Sequence, residues 1–235
     1  MLNRGFHAIS QPFLPNNEDG CNMRAVIPFK KEGAKSRLSP VLSKLEREAL
    51  AICMLQDVVA ALKNSCVSGI DILTTSKSIQ IDGVNVIPDT SEGLNEALND
   101  YIAKNLQTLG AAPILIIMAD LPLVKAHHIN DIAKHLENAE LVIAPGTGGG
   151  TNILAISNPA YRVNYYGASF LDHLKIAQNL GITTVTYDSL ACATDIDEPC
   201  DLVELLLHGN GCTIECIQSF GFTLEIASGR VQVKR

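Results

Sequence analysis

The carboxylate best placed for chemistry, Asp120, follows the most apolar run of the chain. The run "PILIIMA" occupies residues 113–119, and Pro122 comes two residues after the aspartate. Such a run is typical of a strand buried on both faces of a parallel sheet, and ligands bind beyond the carboxyl ends of such strands. A carboxylate there suits Mg²⁺, which takes one or two protein carboxylates plus phosphate oxygens. The local alternative is an aspartate that caps the next helix.

A second acidic segment, "TDIDEPCD", occupies residues 194–201. Glu198 and Asp201 are explained by the start of a helix, where acidic residues are common. Asp195 and Asp197 precede that helix and are harder to explain locally. If either of them faces Asp120, the two carboxylates form a Mg²⁺ site, and the sequence leaves open which one does so.

Four cations follow the first predicted strand within eight residues, although the chain carries a net charge of −7. They are Lys30, Lys31, Lys35 and Arg37. Clustered cations can hold a polyphosphate, and a solvated basic loop is the alternative. Neither a Walker A pattern nor a dinucleotide fingerprint is present.

Small residues and hydroxyls in the second half could receive a second anion. The segment "PGTGGGTNIL", residues 145–154, would let backbone N–H groups approach an anion and adds the hydroxyl of Thr151; a mobile hairpin is the alternative. His173 follows Ser169 on a predicted helix and could donate a hydrogen bond to an anionic substrate. His127, His128 and His135 are expected to be solvated.

Short β-rich runs alternate with helical patterns from Met23 onward, which predicts a single α/β domain with a mostly parallel sheet. The spacing predicts helices over residues 43–63, about 92–108 and about 127–137. Ser43 and Glu46 form a capping box at the start of the first helix, whose apolar face is expected to include Leu45, Ala49, Ile52 and Leu62.

The domain limits follow from the same pattern. Residues 1–22 are expected to be a loosely ordered extension, 23–210 the core, and 211–235 an extension of two short strands. This hairpin could be a sheet edge or a surface for a second subunit, so we expect a homodimer.

Composition narrows the functional classes. The seven scattered cysteines predict free thiols in a reducing cytoplasm. The acidic net charge argues against a nucleic-acid partner, and no apolar run is long enough to span a membrane. A small-molecule substrate is therefore expected.

Six motifs resemble, in the same order, those of the 2-phospho-L-lactate guanylyltransferases of coenzyme F-420 biosynthesis. The motifs cover most of residues 23–208 and read "MRAVIPFKKEGAKSRLSPVLSKLERE", "DTSEGLNEAL", "IIMADLPLV", "APGTGGGTNIL", "YYGASFLDH" and "DIDEPCDL".

This resemblance implies a three-layer α/β/α nucleotidyltransferase of the glycosyltransferase-A type with a mixed, mostly parallel sheet. It implies the reaction of GTP with 2-phospho-L-lactate, giving lactyl-2-diphospho-5'-guanosine and pyrophosphate, with Mg²⁺. On this sequence it implies that Lys35 and Arg37, with Lys30 nearby, hold the triphosphate, while Asp120 and Asp197 bind the metal. The remaining implied contacts are Gly93, Leu94 and Asn95 for the base and ribose, and Thr151, Gly167 and Ser169 for the phosphorylated acid.

Two other functions remain open at this point. The same fold could transfer the nucleotide to phosphoenolpyruvate or molybdopterin, or the chain could be a nucleotide-binding module without activity.

Overall fold

A seven-stranded mixed sheet between two layers of helices forms the core of the protein. A computed structural model describes residues 21–76, 79–107, 111–227 and 229–235. Residues 1–20 of the expected extension, and residue 108 of the second expected helix, lie outside this described part. The strands are β1 (Arg24–Phe29), β2 (Gly69–Thr74), β3 (Asn85–Pro88), β4 (Ile114–Ile117), β5 (Leu141–Pro145), β6 (Thr151–Ile156), β7 (Thr184–Thr186), β8 (Thr223–Ala227) and β9 (Arg230–Lys234).

The helices connect these strands in the alternating order that the sequence predicts. Ser43 and Glu46 close the expected capping box at the start of the first helix. The helices are α1 (Lys44–Lys63), α2 (Leu94–Asn105), α3 (Ala126–Leu136), α4 (Ser169–Leu180), α5 (Leu190–Ala193), α6 (Asp201–His208) and α7 (Cys212–Ser219).

The strand order is β3-β2-β1-β4-β6-β5-β7. Strand β6 runs antiparallel to both of its neighbours, whereas the other neighbouring pairs are parallel. The predicted α/β fold with a mixed, mostly parallel sheet is therefore confirmed. Because β6 is reversed, its amino end lies at the same edge of the sheet as the carboxyl ends of β4 and β5.

Alternation along the strands divides the apolar residues between the two faces of the sheet. On β4, Leu115 and Ile117 pack with helices α1, α3, α6 and α7, whereas Ile114 and Ile116 pack with α2 and α4. All four residues are fully buried, as expected for a central strand covered on both sides. The strand thus fixes the position of the chain segment that follows it.

Three sequence-based expectations are wrong in part. Leu45, assigned to the apolar face of α1, is 78% exposed, because the helix begins packing on the sheet only from Leu50 onward. The segment 211–235 contains the expected hairpin, β8 paired with β9, but also helix α7, which packs on α1. Helix α7 has only two buried residues, so its apolar pattern was too short to separate from a strand.

The expectation of free thiols is also wrong for one pair of cysteines. The structure records a disulfide between Cys21 and Cys66, whose Cα atoms lie 5.5 Å apart. Spacing could not reveal this pair, because the two residues are 45 positions apart and meet only through the fold. The other five cysteines are free thiols, as expected.

Within the described ranges, no helix is both long enough and apolar enough to span a membrane.

Candidate active site

The charged residues singled out in the sequence meet at one edge of the sheet, beyond β1 and β4. Lys35 donates hydrogen bonds from Nζ to Oδ2 of Asp120 at 2.6 Å and to Oδ1 of Asp197 at 2.8 Å. Arg37 donates from Nη1 to Oδ2 of Asp197 at 3.0 Å. Asp120 and Asp197 lie 85 and 162 positions along the chain from Lys35, yet both contact its ammonium group. The topology of a parallel sheet allows this, because distant segments meet at the carboxyl ends of its strands.

Asp197 faces Asp120 because the segment before α6 is extended and anchored in the core. Ile196 is fully buried, and its N–H donates to the carbonyl of Asp120 at 3.1 Å. Neighbours of a buried residue in extended chain point to the opposite side, which turns Asp195 and Asp197 towards the charged cluster. Asp201 fixes the turn by accepting hydrogen bonds from the N–H groups of Asp197 and Glu198, so its role is the local one.

The structure distinguishes the two candidate aspartates, which the sequence left open. Asp197 shares Lys35 with Asp120, whereas Oδ1 of Asp195 accepts a hydrogen bond from the side chain of Asn152 at 3.3 Å. Burial raises the pKa of Asp195, and the negative charge of Asp120 raises it further. Asp195 therefore belongs to the same electrostatic cluster, but its hydrogen bond is to Asn152 and not to Lys35.

The buried position of Lys35 is compensated by its two carboxylates. Burial alone would lower the pKa of Lys35, but Asp120 and Asp197 more than offset this effect and raise it. The ammonium group is therefore charged at neutral pH. The loop that carries it is unusual, because Lys35 has a left-handed backbone (φ 55°), a conformation that side chains with a Cβ rarely adopt.

Two adjoining cavities lie along this edge of the sheet. The larger, of about 450 Å³, lies between the end of β1 and the start of α2, and half of its lining residues are apolar. The smaller, of about 210 Å³, contains Lys35, Asp120 and Asp197. Pro28, Phe29, Lys30 and Met118 line both cavities. Together the two cavities form one cleft with a more apolar compartment and a charged compartment, and such a cleft suits a small-molecule ligand.

The predicted base and ribose residues divide into two groups. Gly93 and Leu94 line the larger cavity. Asn95 has another contact, since its Oδ1 accepts a hydrogen bond from the N–H of Tyr165 at 2.6 Å and so ties α2 to the loop before α4.

Sequence reasoning missed several residues of the larger cavity. They include Thr75, Asp89, Ser91 and Glu92, which lie just beyond β2 and β3. Their position after predicted strands was the available signal, because ligands bind at these ends.

The glycine-rich loop between β5 and β6 is folded on itself. The N–H of Gly146 donates to the carbonyl of Gly150 at 2.9 Å, and that of Gly149 donates to Gly146 at 3.0 Å. Thr147 donates to the carbonyl of Ala193. A Cβ on Gly146 would lie 2.7 Å from the side chain of Asn152, so this position requires glycine. At least three of the N–H groups expected for an anion are thus already used to shape the loop.

Thr151, Ser169 and His173 form a buried hydrogen-bonded chain beside this loop. Ser169 Oγ donates to Thr151 Oγ1 at 3.1 Å, and Thr151 Oγ1 lies 2.8 Å from His173 Nδ1. His173 Nε2 accepts from the N–H of Asn164 at 2.9 Å, which assigns the proton of the neutral ring to Nδ1. Burial lowers the pKa of His173 to about 4, so the ring is neutral at pH 7.

This geometry corrects the expectation for His173. The ring is fully buried and both nitrogens are engaged, so it positions the loop rather than contacting a substrate. Thr151 and Ser169 are also buried, whereas Gly167, which has a left-handed backbone (φ 56°), is exposed at the surface of the loop.

The carboxylates of the smaller cavity fit a divalent cation. Oδ1 of Asp120 is buried and, within the described part of the chain, has no hydrogen-bond partner. A buried carboxylate oxygen without a partner is costly, and a hard cation would satisfy it. Among the described residues, no group of three or more His, Cys, Asp or Glu side chains is placed so as to hold a metal ion.

Comparison with known proteins identifies the family. A family model described as "Guanylyl transferase CofC like" matches residues 23–235. The chain belongs to this family. Among the relatives of this CofC-like chain, the 2-phospho-L-lactate guanylyltransferase of Methanosarcina mazei is 49% identical over 212 residues, which cover 89% of this chain and 98% of the relative. The enzyme of the same name from Methanococcoides burtonii is 47% identical over 213 residues, covering 90% and 95%.

Solved structures support the fold of this CofC-like chain. A nucleotide-diphospho-sugar transferase from Desulfovibrio desulfuricans superposes with a TM-score of 0.72 at 13% identity, covering 84% of this chain and 94% of the other. The 4-diphosphocytidyl-2C-methyl-D-erythritol synthase gives a TM-score of 0.52 at 18% identity, covering 79% and 98%. At these identities the likeness shows the nucleotidyltransferase fold alone.

Proposed function

We propose that this chain transfers GMP from GTP to 2-phospho-L-lactate, giving lactyl-2-diphospho-5'-guanosine and pyrophosphate in coenzyme F-420 biosynthesis. The observation that carries the proposal is the ammonium of Lys35 between Asp120 and Asp197, at the junction of an apolar cavity and a charged one. The names of the relatives supply the acceptor, and the cleft supplies a place for each part of the donor.

The reaction requires charge neutralisation rather than a base. An oxygen of the acceptor's phosphate attacks the α-phosphorus of GTP, and the bond from that phosphorus to the bridging oxygen of pyrophosphate breaks. The attacking oxygen is already ionised at neutral pH, so no proton has to be removed. The barrier comes from bringing two polyanions together and from the charge that moves to the leaving group.

Three cations of this chain can reduce that barrier. Lys30 lines both cavities, and Lys35 and Arg37 reach the charged one from the loop after β1. We propose that Lys35 and Arg37 exchange their carboxylate partners for phosphate oxygens when GTP binds. Asp120 and Asp197 would then hold Mg²⁺, which supplies positive charge at the phosphates when bound.

The acceptor would lie at the surface of the glycine-rich loop. The buried hydrogen bonds among Thr151, Ser169 and His173 hold the start of β6 against the start of α4, beside the glycine-rich loop and exposed Gly167. We therefore propose that Thr151, Ser169 and His173 fix the orientation of the loops that form the acceptor site.

A direct assay tests the reaction. Purified protein is given GTP and MgCl₂ with 2-phospho-L-lactate, phosphoenolpyruvate or no acceptor, and the release of pyrophosphate is followed. We expect turnover with 2-phospho-L-lactate to exceed that with phosphoenolpyruvate. Absent turnover, or equal rates with both acids, would refute the assignment of the acceptor.

Asp120→Asn tests the site in the same assay. Removing the charge of one proposed metal ligand is expected to lower kcat by about 10²-fold or more, the size typical of losing one group that stabilises transition-state charge. The matched control is Asp188→Asn, an exposed aspartate away from the cleft, which should keep the wild-type rate.

We also propose that the protein acts in the cytoplasm, where GTP is available, and as a homodimer. Support for the dimer comes from hairpin β8–β9, on which Ile226 is 81% exposed and Val231 is 40% exposed. Light scattering of the wild type and of Ile226→Asp tests the dimer, and a monomeric wild type would refute it.

A further inference from the structure

The larger cavity of the cleft has few polar groups, and two of them are carboxylates. Six of its twelve lining residues, Pro28, Phe29, Leu73, Leu94, Ala97 and Met118, are apolar and suit the faces of a purine. The carboxylates of Asp89 and Glu92 stand out among these groups, because a nucleotide is itself an anion. Away from the proposed metal ligands Asp120 and Asp197, a carboxylate beside a nucleotide can contribute by accepting hydrogen bonds from donors of the base or the ribose.

Asp89 is held in a fixed position directly after β3. Its N–H donates to the carbonyl of Thr74 at 2.8 Å, and its Oδ1 accepts a hydrogen bond from the N–H of Ser91 at 2.9 Å. Within the described residues, its Oδ2 accepts no hydrogen bond. One oxygen thus fixes the carboxylate, while the other can accept hydrogen bonds from a ligand.

Glu92 is the less suitable of the two carboxylates. The residue is exposed, and its backbone N–H is held by Glu96, but none of the hydrogen bonds between described residues fixes its own carboxylate. A longer, free side chain loses more conformational entropy on binding, so it selects less sharply between ligands.

Guanine differs from adenine in the donors of one edge. Guanine presents N1–H and the 2-amino group side by side, and both can donate to a carboxylate, whereas adenine presents an acceptor at N1 and no amino group at C2. A carboxylate near that edge therefore attracts guanine and repels adenine. We propose that Asp89 is the specificity-determining residue that selects the guanine base of the donor nucleotide.

This inference rests on the proposed function only in taking GTP as the donor. It predicts a difference between purines that need not involve turnover, so binding can be measured without any acceptor. Isothermal titration with GTP, ITP, XTP and ATP, in the presence of Mg²⁺, gives the four dissociation constants for each variant.

The variant Asp89→Asn separates the base from the ribose. An asparagine keeps Oδ1 for the N–H of Ser91, so the turn is retained, but replaces Oδ2 with an amide that donates. Xanthine carries a carbonyl at C2, where guanine carries the amino group. The variant should therefore bind GTP roughly tenfold to hundredfold more weakly, the cost of charged hydrogen bonds, and should bind XTP more tightly than the wild type does.

Two comparisons complete the expected result. In the wild type, ITP should bind about tenfold or more weakly than GTP, because hypoxanthine lacks the 2-amino donor. The matched control Asp188→Asn, which removes an exposed carboxylate outside the cleft, should leave all four dissociation constants near those of the wild type, and Glu92→Gln should not show the exchange of preference between GTP and XTP. Thermal unfolding of each variant checks that it is folded. If Asp89→Asn does not fold, Asp89→Ser replaces it, because the serine hydroxyl can accept a hydrogen bond from the N–H of Ser91. Asp89→Ser should also lose the preference for GTP over ATP.

Several outcomes would overturn the assignment. Equal weakening of all four nucleotides in Asp89→Asn would place the carboxylate on the ribose or the phosphates. Asp89 does not select guanine if Asp89→Asn binds GTP as the wild type does. The same conclusion follows if Glu92→Gln, rather than Asp89→Asn, weakens GTP binding and strengthens XTP binding. A wild type that binds GTP and ATP equally would overturn this inference, whereas a wild type that prefers GTP but does not turn over would overturn only the proposed reaction.

Discussion

Replacing Lys35 with methionine should destabilise the protein through repulsion between the carboxylates it leaves behind. Methionine keeps the apolar stem of this side chain, which is 9% exposed, and removes the ammonium. The two bonded oxygens of Asp120 and Asp197 lie 2.6 and 2.8 Å from Nζ, so they can be no farther apart than these distances laid end to end, about 5.4 Å. Two negative charges at that separation repel each other by about 3 kcal/mol at an effective dielectric constant of about 20.

Solvent reduces this figure, because the Asp120 and Asp197 side chains are 27% and 35% exposed. We therefore expect Lys35→Met to lower the free energy of unfolding by about 1–3 kcal/mol at pH 7 and low salt. The loss should shrink at high salt, because mobile ions screen the repulsion between the two carboxylates.

Urea unfolding at pH 7, at low and at high salt, with EDTA and with MgCl₂, measures this prediction. The variant should gain more stability from Mg²⁺ than the wild type, since the cation replaces the missing charge. Lys44→Met, which removes an exposed ammonium on α1, is the matched control and should change stability little. A loss that is the same at both salt concentrations and insensitive to Mg²⁺ would refute the electrostatic reasoning.

Three further predictions concern other parts of the molecule. The pKa of His173 is lowered from 6.5 to about 4, so the free energy of unfolding of the wild type should fall by up to about 3 kcal/mol as the pH drops from 6.5 to 4. Urea unfolding of His173→Gln should not show this pH dependence, whereas the control His135→Gln, at an exposed histidine, should keep it. Arg235 binds the carbonyl of residue 41 and lies over the ring of residue 222, so Arg235→Ala should lower the unfolding temperature by a few degrees, and Lys234→Ala by less. Lys35→Gly should be more stable than Lys35→Ala by about 1 kcal/mol, because glycine adopts the left-handed backbone without strain; equal unfolding midpoints would refute this.

The sequence predicted the fold well wherever the pattern was local. The alternation of strands and helices, the double burial of β4 and the capping box at Ser43 all follow from periodicity and residue type. Leu45 and Ala49 were wrongly placed on the apolar face of α1, because the buried part of this helix begins only at Leu50, whereas Leu62 of the same predicted face is buried. Helix α7 and the Cys21–Cys66 disulfide were not predicted, because both depend on contacts between segments that are distant in the sequence.

The candidate site, like the fold, could be predicted from the sequence only in part. Asp120 was predicted from a strand end, whereas the residues left open whether Asp195 or Asp197 faces it and the family resemblance implied Asp197. Asp120 and Asp197 share the ammonium of Lys35, whose position between them could not be read from the sequence. Residue type alone could not show that His173 is enclosed, since burial depends on the packing of α4 on the sheet. Asp89 was missed because a lone aspartate after a short strand is also a common turn residue.

The reversed strand β6 has a consequence for how specificity could change. The walls of the larger cavity come from residues 28–118, whereas the loops around Thr151 and Gly167 come from residues 145–180. The lining of the larger cavity and the loops around Thr151 and Gly167 are thus separate stretches of chain that are joined where β4 pairs with β6, and there the N–H of Met118 donates to the carbonyl of Asn152 at 3.0 Å. Such a layout is modular: an exchange of residues 145–180 between relatives would replace these loops together and leave the lining of the larger cavity intact.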